Sequence, residues 1–313
     1  MSLKDKKNVG LITGASSGIG AALAIRISEK YNHLYISGRN ISELEKVSDQ
    51  ILKNDCECTI VPLDLKKTKL IDELASQVYL KEGKLDLLIS AAGIMHNKFL
   101  VIDANSVNNS WIMTGSTNWT NPSNLFNDYN NLIFVQDQAL AKAYNLEFEE
   151  MWAGSFGSNK IDNTPHDFNV NGKHMELYFS PSDQTTSKIL EVINSVDYTF
   201  EFALLEFTRD DLGDAIIDVH NSFGTNVRGI MESTNSQYAE FDKMDDAGVN
   251  VKSHSGIPNT IHHKYAIADA DIIASDPILL TGSHNWSNNA ENNSDENTLI
   301  IHDHTTANIY LQE

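Results

Sequence analysis

The chain has few cysteines, no long apolar run and an excess of negative charge. Its two cysteines among 313 residues, Cys56 and Cys58, cannot build a disulfide framework and lack the partners of a structural zinc site, so two reduced thiols are expected. No apolar run is long enough to span a bilayer. The first residues lead into a strand-like segment without a cleavable apolar stretch, which predicts no secretion signal and a cytoplasmic location.

Positive charge is scarce in only one part of the chain. Residues 1–94 contain 13 Lys and Arg against 12 Asp and Glu, whereas residues 95–313 contain 10 against 31. This step marks a composition boundary and indicates two parts with different histories. A net charge of −20 repels nucleic acid and anionic membranes at long range, so a polyanion has to be held by positive charge inside a local site.

Hydrophobic patterns alternate between strand-like and helix-like segments in both parts. In residues 1–94 they predict the order β-α-β-α-β-α-β, the last helix over 70–81, and therefore a parallel sheet with right-handed crossovers. In the second part, strands are predicted over 176–180, 198–207, 226–231, 249–253, 262–269, 278–281 and 298–301, and helices over 187–195 and 212–223. The chain is therefore predicted to be an α/β protein.

One pattern of polar residues occurs twice. Each copy has the form H-x-K-x-x-x-x-D followed by T-G-S-x-N-W. Because residues two apart on a strand share a face, the His and Lys of each copy are expected to point the same way. A single His-x-Lys pair carries little weight, but two full copies indicate one active site assembled from two related halves. The first copy comprises His96, Lys98, Asp103, Ser116 and Asn118, and the second His262, Lys264, Asp269, Ser283 and Asn285.

On these motifs, residues 95–313 resemble the phospholipase D superfamily. The resemblance implies two lobes of mixed sheets related by a pseudo-twofold axis, an intramolecular pseudo-dimer in which both His–Lys pairs meet. With the N-terminal part, it divides the chain into a partial Rossmann-type segment over 1–94, the rest of a first lobe over 95–174 and a second lobe over 175–313.

The implied activity is that of a metal-independent phosphodiesterase acting on a nucleic-acid or phospholipid diester. In this family the His of the N-terminal half is usually the nucleophile, which makes His96 the residue that forms a phosphohistidine and His262 the acid. The other motif residues are implied to stabilise charge or structure: Lys98 and Lys264 at the non-bridging oxygens, Asn118 and Asn285 as amide donors, Ser116 and Ser283 as nearby hydrogen-bond partners, and Asp103 and Asp269 as structural supports.

Members of the family often carry a later acidic residue that orients the nucleophilic His. Glu296 fits this position in the second half. The aligned position in the first half is Asn130, with Asp128 as an alternative after a loop shift, so the division of labour between the two His stays open.

The remaining histidines show no metal-ligand spacing, so no metal site is predicted. His263 neighbours a motif position and is expected to face away from it, in packing or in solvent. His284 also lies beside a motif residue. The others are expected in surface loops, including His166, His174, His220 and His254.

A glycine-rich turn follows the first predicted strand and opens a helix, as a dinucleotide phosphate loop requires. Together with the residues that end the next three strands, it makes residues 8–94 resemble the first half of a short-chain dehydrogenase/reductase. Arg39 beside the ribose implies a 2′-phosphate and therefore NADP. The implied cofactor residues are Gly14, Ser16, Ser17, Gly18, Ile19, Gly20, Arg39, Asp64, Ala92 and Gly93.

The second half of that reductase is missing. None of the 10 tyrosines has a Lys four residues later, so the Tyr-x-x-x-Lys pair that moves proton and hydride is lacking. The chain is therefore interpreted as a chimera of two incomplete families. The alternatives to a phosphodiesterase are an NADP-binding reductase-like protein and a catalytically inactive fusion; natural substrate and oligomeric state stay open.

Overall fold

The computed structural model describes residues 8–16, 18–63, 74, 78, 80–84, 86–90, 95–118, 127–235 and 238–312. The chain forms two compact units, Met1–Ile94 and Met95–Glu313. Within the described residues, no helix combines the length and the apolar character needed to cross a membrane.

The first unit contains a four-stranded parallel sheet with the strand order β3-β2-β1-β4. The predicted parallel sheet is therefore confirmed, while most of the helix expected over 70–81 lies outside the described residues. Its elements are β1 (Val9–Thr13), α1 (Gly18–Ser28), β2 (His33–Gly38), α2 (Ile41–Leu52), β3 (Glu57–Pro62) and β4 (Leu87–Ser90).

Both faces of this sheet are covered, as in other parallel sheets. Ile12 and Ile36 pack with α1 and α2 on one face, and Leu11 and Tyr35 pack with Val78 in a second cluster. α2 begins after Asn40, whose side chain accepts a hydrogen bond from the Glu43 amide and so caps the helix.

The second unit contains two sheets. A three-stranded antiparallel sheet has the order β5-β6-β7, and an eight-stranded mixed sheet has the order β12-β11-β10-β13-β14-β15-β9-β8. The strands are β5 (Leu100–Ile102), β6 (Trp111–Gly115), β7 (Leu132–Gln136), β8 (Asp167–Val170), β9 (Lys173–Ser180), β10 (Thr199–Leu204), β11 (Asn226–Met231), β12 (Asn250–Ser253), β13 (Lys264–Ala268), β14 (Ile278–Gly282) and β15 (Glu296–His302).

The expected boundary between residues 174 and 175 falls inside β9, and β8 already belongs to the larger sheet. The division into three segments stays a prediction.

Helices of the second unit cover the larger sheet on both faces. One core contains Phe200, Phe202 and Trp286 and lies against two amphipathic helices, and the other contains Tyr144, Phe179 and Ile267. The helices are α3 (Gln138–Trp152), α4 (Thr185–Asn194), α5 (Asp210–Asn221), α6 (Phe241–Asp246), α7 (Asn288–Asn293) and α8 (His304–Leu311).

The two halves of the second unit repeat one layout. Strands β5, β6 and β7 correspond to β13, β14 and β15, and each set is followed by a helix with an Asp N-cap, Asp137 for α3 and Asp303 for α8. β6 and β14 lie in contact. This repeat agrees with the expected pseudo-twofold relation, but only the larger sheet is mixed; among the described residues the first half contributes the three antiparallel strands β5, β6 and β7.

The motif strands start later than predicted. β5 begins at Leu100 and β13 at Lys264, so His96, Lys98 and His262 precede them. The physical reason is that the backbone before each motif strand pairs with the other half of the unit. Met95 forms a bridge with Asp295, and Ile261 forms one with Tyr129, before each segment joins its own sheet.

Gly115 and Gly282 end the corresponding strands β6 and β14 of the two halves, with φ of +143° and +154°. A Cβ on Gly282 would lie 2.1 Å from the carbonyl oxygen of Asn297, and one on Gly115 would lie 2.2 Å from that of Asn131. Glycine is therefore required at both positions by the close approach of a neighbouring backbone.

We predict that Gly282→Ala lowers the free energy of unfolding of the second unit by about 2–3 kcal/mol, because a side chain there forces the neighbouring strand aside. Denaturant unfolding followed by tryptophan fluorescence measures this, since all 4 tryptophans lie in residues 95–313. Gly224→Ala is the control: its φ is +91° with nothing within 4 Å, so only backbone strain of roughly 1 kcal/mol is expected. Equal losses in the two variants would contradict the role of the close approach.

Candidate functional site

Each motif histidine is held by backbone contacts with the opposite half of the second unit. The amide of His96 donates to the carbonyl of Asp295 at 3.0 Å, and the amide of His262 donates to the carbonyl of Tyr129 at 2.9 Å. Since the residue after each acceptor is also the one that contacts the imidazole, these two bonds set the register between the halves.

The two imidazoles have different partners at Nδ1. Nδ1 of His96 lies 2.7 Å from Oε2 of Glu296, and Nδ1 of His262 lies 2.9 Å from Oδ1 of Asn130. The structure thus brings Asn130, and not Asp128, to the second imidazole. Either oxygen accepts the Nδ1 proton and leaves Nε2 free to act, but only Glu296 can add a negative charge.

The two motif lysines are buried. Nζ of Lys98 donates to the carbonyl of His96 at 2.6 Å, and Nζ of Lys264 donates to that of His262 at 2.8 Å. Burial lowers the pKa of Lys98 to about 8, with Glu296 opposing the shift. Burial and the charge of Lys98 lower the pKa of Lys264 well below its usual value. Because the charge of Lys98 acts on Lys264, the two ammonium groups lie in one positively charged region that suits an anion.

Both motif imidazoles favour the neutral form. Burial lowers the pKa of His96, Glu296 opposes the shift, and the two lysines add to it. Burial, followed by Lys264, Lys98 and His96, lowers the pKa of His262 to about 2. The pKa of Glu296 is itself lowered, because His96 and Lys98 outweigh its burial. These mutual effects place the four motif side chains in one electrostatic cluster.

The predicted amide donors differ between the halves. Nδ2 of Asn118 lies 3.3 Å from Nε2 of His262. Asn285, its counterpart, has no corresponding contact with His96 among the described residues, and its Oδ1 is buried without a hydrogen bond there.

The two predicted serines hold the strands of the site. Oγ of Ser116 accepts the amide of Asn131 at 3.0 Å and donates to Asn130 at 3.0 Å. Oγ of Ser283 accepts the amide of Asn297 at 3.0 Å. The hydroxyls thereby position the residues that contact the imidazoles.

Two buried asparagines cross-link the halves, and motif reasoning missed them. Oδ1 of Asn297 accepts a hydrogen bond from Thr114, and Nδ2 of Asn131 donates to Thr281, each at 2.5 Å. Asn297 also donates to Asn97 at 2.9 Å. The signal that could have found them is their recurrence directly after Asn130 and Glu296 in the strand alignment.

The predicted aspartates lie in turns after the motif strands, outside the His–Lys cluster. The Asp269 carboxylate accepts three backbone amides, those of residues 197–199, at 2.7–3.0 Å, which holds a turn together. Asp103 is exposed. Both have positive φ, +48° for Asp103 and +51° for Asp269. A chemical role for either is not supported by these positions.

The histidines beside the motifs are buried. His263 packs against the ring of Tyr265, and burial lowers its pKa to about 4. His284 lies 3.4 Å from Glu291. The packing alternative therefore holds for His263.

A buried ionic group supports the site from behind. Nζ of Lys160 lies 2.5 Å from Glu147 and 3.4 Å from Asp295, with no exposed side-chain area on the lysine. Glu147 in turn accepts a hydrogen bond from Asn97 at 3.2 Å. Because Asn97 and Asp295 flank His96 and Glu296 in sequence, this group ties the backbone of both residues to α3.

The first unit has an open cleft of about 700 Å³ lined by Ser16, Arg39, Asn40, Ile41 and Glu43. It lies where the glycine-rich turn, with φ +67° at Gly14, meets the end of β2. A Cβ on Gly38 would lie 2.9 Å from Ser16 Oγ, which shows how closely the two segments approach. Among the implied cofactor residues, Ser17, Asp64, Ala92 and Gly93 lie outside the described residues, and so does the side chain of Ile19. Gly18 begins α1, and Gly20 is buried in that helix.

Two family models match the chain. The model described as cardiolipin synthase, PLD-like domain, matches residues 189–313, and the short chain dehydrogenase model matches residues 8–127. The first match contains the second His–Lys motif, and the first motif lies within the other match.

Individual relatives divide in the same way. A mitochondrial cardiolipin hydrolase of Chlamydomonas reinhardtii is 29% identical over 133 residues, 42% of this chain and 56% of that protein. An uncharacterized oxidoreductase of Staphylococcus aureus is 36% identical over 93 residues, 30% of this chain and 38% of that protein. The structure of NucT from Helicobacter pylori has a TM-score of 0.39 at 25% identity and covers 44% of this chain and 91% of its own. The chain thus spans about half or less of these curated relatives.

We predict that Lys264→Met raises the pKa of His262, because removing a neighbouring positive charge favours the imidazolium. Lys264 is 1% exposed, so an apolar side chain of similar length keeps the packing. The ring proton shifts of His262 followed by NMR against pH measure the change. Lys252→Met, at an exposed position on β12, should leave them unchanged; a His262 titration that is the same in all three proteins would contradict this electrostatic account.

Proposed function

We propose that the chain joins a phospholipase D-like domain to the N-terminal part of a short-chain dehydrogenase, and that residues 95–313 hydrolyse a phosphodiester without a metal ion. The observation that carries the proposal is the pair of imidazoles whose Nδ1 atoms are occupied and whose charges are coupled to two buried lysines. Such an arrangement suits a tetrahedral anion that contacts both rings.

In the first step, the Nε2 lone pair of His96 attacks phosphorus and the bond to the leaving oxygen breaks. Protonated His262 gives its Nε2 proton to that oxygen. The phosphorylated imidazole of His96 keeps its Nδ1 proton and is cationic. Glu296 accepts a hydrogen bond from that N–H and stabilises the positive charge. This is the reason for assigning the nucleophile to His96 and not to His262, whose Nδ1 partner is a neutral amide.

In the second step, neutral His262 takes a proton from water. The water oxygen attacks phosphorus, the P–N bond to His96 breaks, and a phosphomonoester leaves. Lys98 and Lys264 stabilise the non-bridging oxygens in both steps, in a buried site where charge interactions are strong.

The charge state of His262 depends on the substrate. Its pKa is lowered by burial and then by Lys264, Lys98 and His96. A bound phosphodiester brings a negative charge between these groups and offsets the repulsion, so the imidazolium needed as acid forms when substrate is present.

We predict that His96 and His262 variants fail at different steps with bis-p-nitrophenyl phosphate in EDTA. His96→Ala should lose about 10³-fold or more in rate, because no nucleophile remains. His262→Ala should release one p-nitrophenolate per chain in a burst, because this leaving group needs no acid, and then stall at the phosphohistidine for lack of a base.

His220→Ala, at a position on α5 outside the site, is the control and should keep full activity. Bursts with His96→Ala in place of His262→Ala would reverse the assignment. Activity that disappears in EDTA, or that survives in both variants, would refute the mechanism.

The substrate proposed is a diester of nucleic acid or phospholipid. The name of the algal relative points to cardiolipin for that protein, and the 31 acidic residues of positions 95–313 disfavour long-range attraction of nucleic acid. Parallel assays with single-stranded DNA and with cardiolipin-containing vesicles distinguish the two sources of the phosphodiester.

A second function, NADP binding, is proposed for the first unit. The cleft beside Arg39 and Ser16 supports it, and the family model of short chain dehydrogenases covers these residues. Arg39 would face the 2′-phosphate and the glycine-rich turn the pyrophosphate. Hydride transfer is not proposed, since the Tyr-x-x-x-Lys pair is absent from the sequence.

We predict that NADPH stabilises the first unit, by about 2.7 kcal/mol at a concentration about 100 times its Kd, and that NADH does so at least about tenfold more weakly. Thermal unfolding of the whole chain with each nucleotide measures this. Arg39→Ala should remove the preference for NADPH, whereas Lys46→Ala, an exposed residue of α2, should keep it. An unchanged unfolding temperature in the wild-type protein would dismiss the proposal.

A further inference from the structure

Three potential metal ligands come together on the larger sheet of the second unit, away from the His–Lys cluster. His174 and Glu176 lie two residues apart on β9, and His302 ends β15 directly opposite His174 in the antiparallel pairing. Side chains two apart on a strand share a face, and cross-strand partners are close neighbours. His174 is therefore a strand residue and not the loop residue that the sequence suggested.

The ligand atoms of these residues have distances that suit a metal ion. One ligand atom from each lies within 4.8 Å of the other two. Nε2 of His302 is 3.0 Å from Oε1 of Glu176, and the rings of His174 and His302 have centroids 4.5 Å apart. Ligand atoms that bind Zn²⁺ at about 2.0–2.1 Å stand roughly 3.3 Å apart in a tetrahedral site, so small movements close the set.

Each potential ligand has a further hydrogen-bond partner. Asp276 lies 2.8 Å from Nδ1 of His302, on the opposite side of the ring from Glu176. Asp167 lies 3.1 Å from Nε2 of His174. The hydroxyl of Tyr178 donates to the other oxygen of Glu176 at 2.6 Å. A carboxylate on the second ring nitrogen is the usual companion of a metal-bound His.

We propose that His174, Glu176 and His302 form a binding site for a divalent transition-metal ion such as Zn²⁺. Imidazole and carboxylate are ligands that Zn²⁺ accepts, and three protein ligands leave one position for water. The nearby carboxylates of Asp167 and Asp276 add negative charge around the ion. His174, with 48% of its side chain exposed, gives access from solvent.

A second cluster of Asp162, His166 and Asp183 is less suited to a metal. Nδ1 of His166 contacts the carbonyl of Leu177 at 2.9 Å, and Asp183 accepts the amide of Phe179 at 2.7 Å. These atoms already have backbone partners, so a metal would have to break the local structure.

The proposed metal site is separate from the His–Lys cluster. β15 runs from Glu296 to His302, seven residues and therefore six residue steps, so its two ends are about 20 Å apart at roughly 3.3 Å per step. A metal bridging β9 and β15 would stabilise the pair of strands, and it takes no part in the reaction in EDTA. A failure to bind metal would therefore not bear on the proposed function, and a failure of that function would not bear on the metal site.

We predict that the whole chain, stripped with EDTA and then dialysed, binds one Zn²⁺ in calorimetric titration and unfolds at a higher temperature with it. Co²⁺ in place of Zn²⁺ should show visible absorption that reports nitrogen and oxygen ligands. His174→Ala, at a half-exposed position, and Glu176→Gln should abolish both effects. Asp276→Asn should weaken binding by about 10–100-fold, as removal of a partner of a metal-bound His does.

His166→Ala and His220→Ala are the controls and should bind like the wild-type protein. A bare ion pair is the competing account, in which protonated His302 sits between Glu176 and Asp276. Absence of Zn²⁺ binding by the wild-type chain, or unchanged binding by His174→Ala and Glu176→Gln, would overturn the proposal in favour of that ion pair.

Discussion

The reciprocal hold of each half on the other half's histidine is the constraint on which the second unit depends. His96 contacts Asp295 and Glu296, and His262 contacts Tyr129 and Asn130. The next residues, Asn297 and Asn131, also form hydrogen bonds with the opposite half. Among the described residues, neither half holds its own imidazole in this way, so the His–Lys cluster depends on the pairing of the halves. Among the described residues, the first half supplies its part of this arrangement from a three-stranded sheet.

The two halves are nearly symmetric, but one pair of matching residues differs in charge. A carboxylate at Glu296 and an amide at Asn130 occupy matching positions, so one imidazole can be stabilised as a cation by its partner and the other cannot. Burial lowers the pKa of Lys98. Burial and the charges of the two lysines lower the pKa of His262, so both groups favour their neutral forms. In the proposed reaction, the negative charge of the substrate offsets the charge of the lysines, so substrate binding favours the protonated His262 that acts as the acid.

The same strand serves both ends of this unit. β15 carries Glu296 and Asn297 at the His–Lys cluster and His302 at the proposed metal site. A sheet positions such side chains more firmly than loops do, because hydrogen bonds to both neighbouring strands fix its register. The buried ionic group around Lys160 also holds the backbone near the His–Lys cluster. Lys160 contacts Asp295, and Glu147 accepts a hydrogen bond from Asn97. The polar groups carried by β15 therefore lie on a strand whose register both neighbouring strands fix.

Local patterns in the sequence determined the elements: the glycine-rich turn and short apolar runs predicted the parallel sheet of the first unit, and the doubled motif predicted a paired site. Tertiary structure alone decided that His96 and His262 precede their strands, that Asn130 and not Asp128 faces His262, and that His302 lies opposite His174. The physical reason is sequence distance. Periodicity reports the burial of neighbouring residues, whereas Glu176 and His302, or His96 and Glu296, are brought together by strand pairing between segments more than one hundred residues apart.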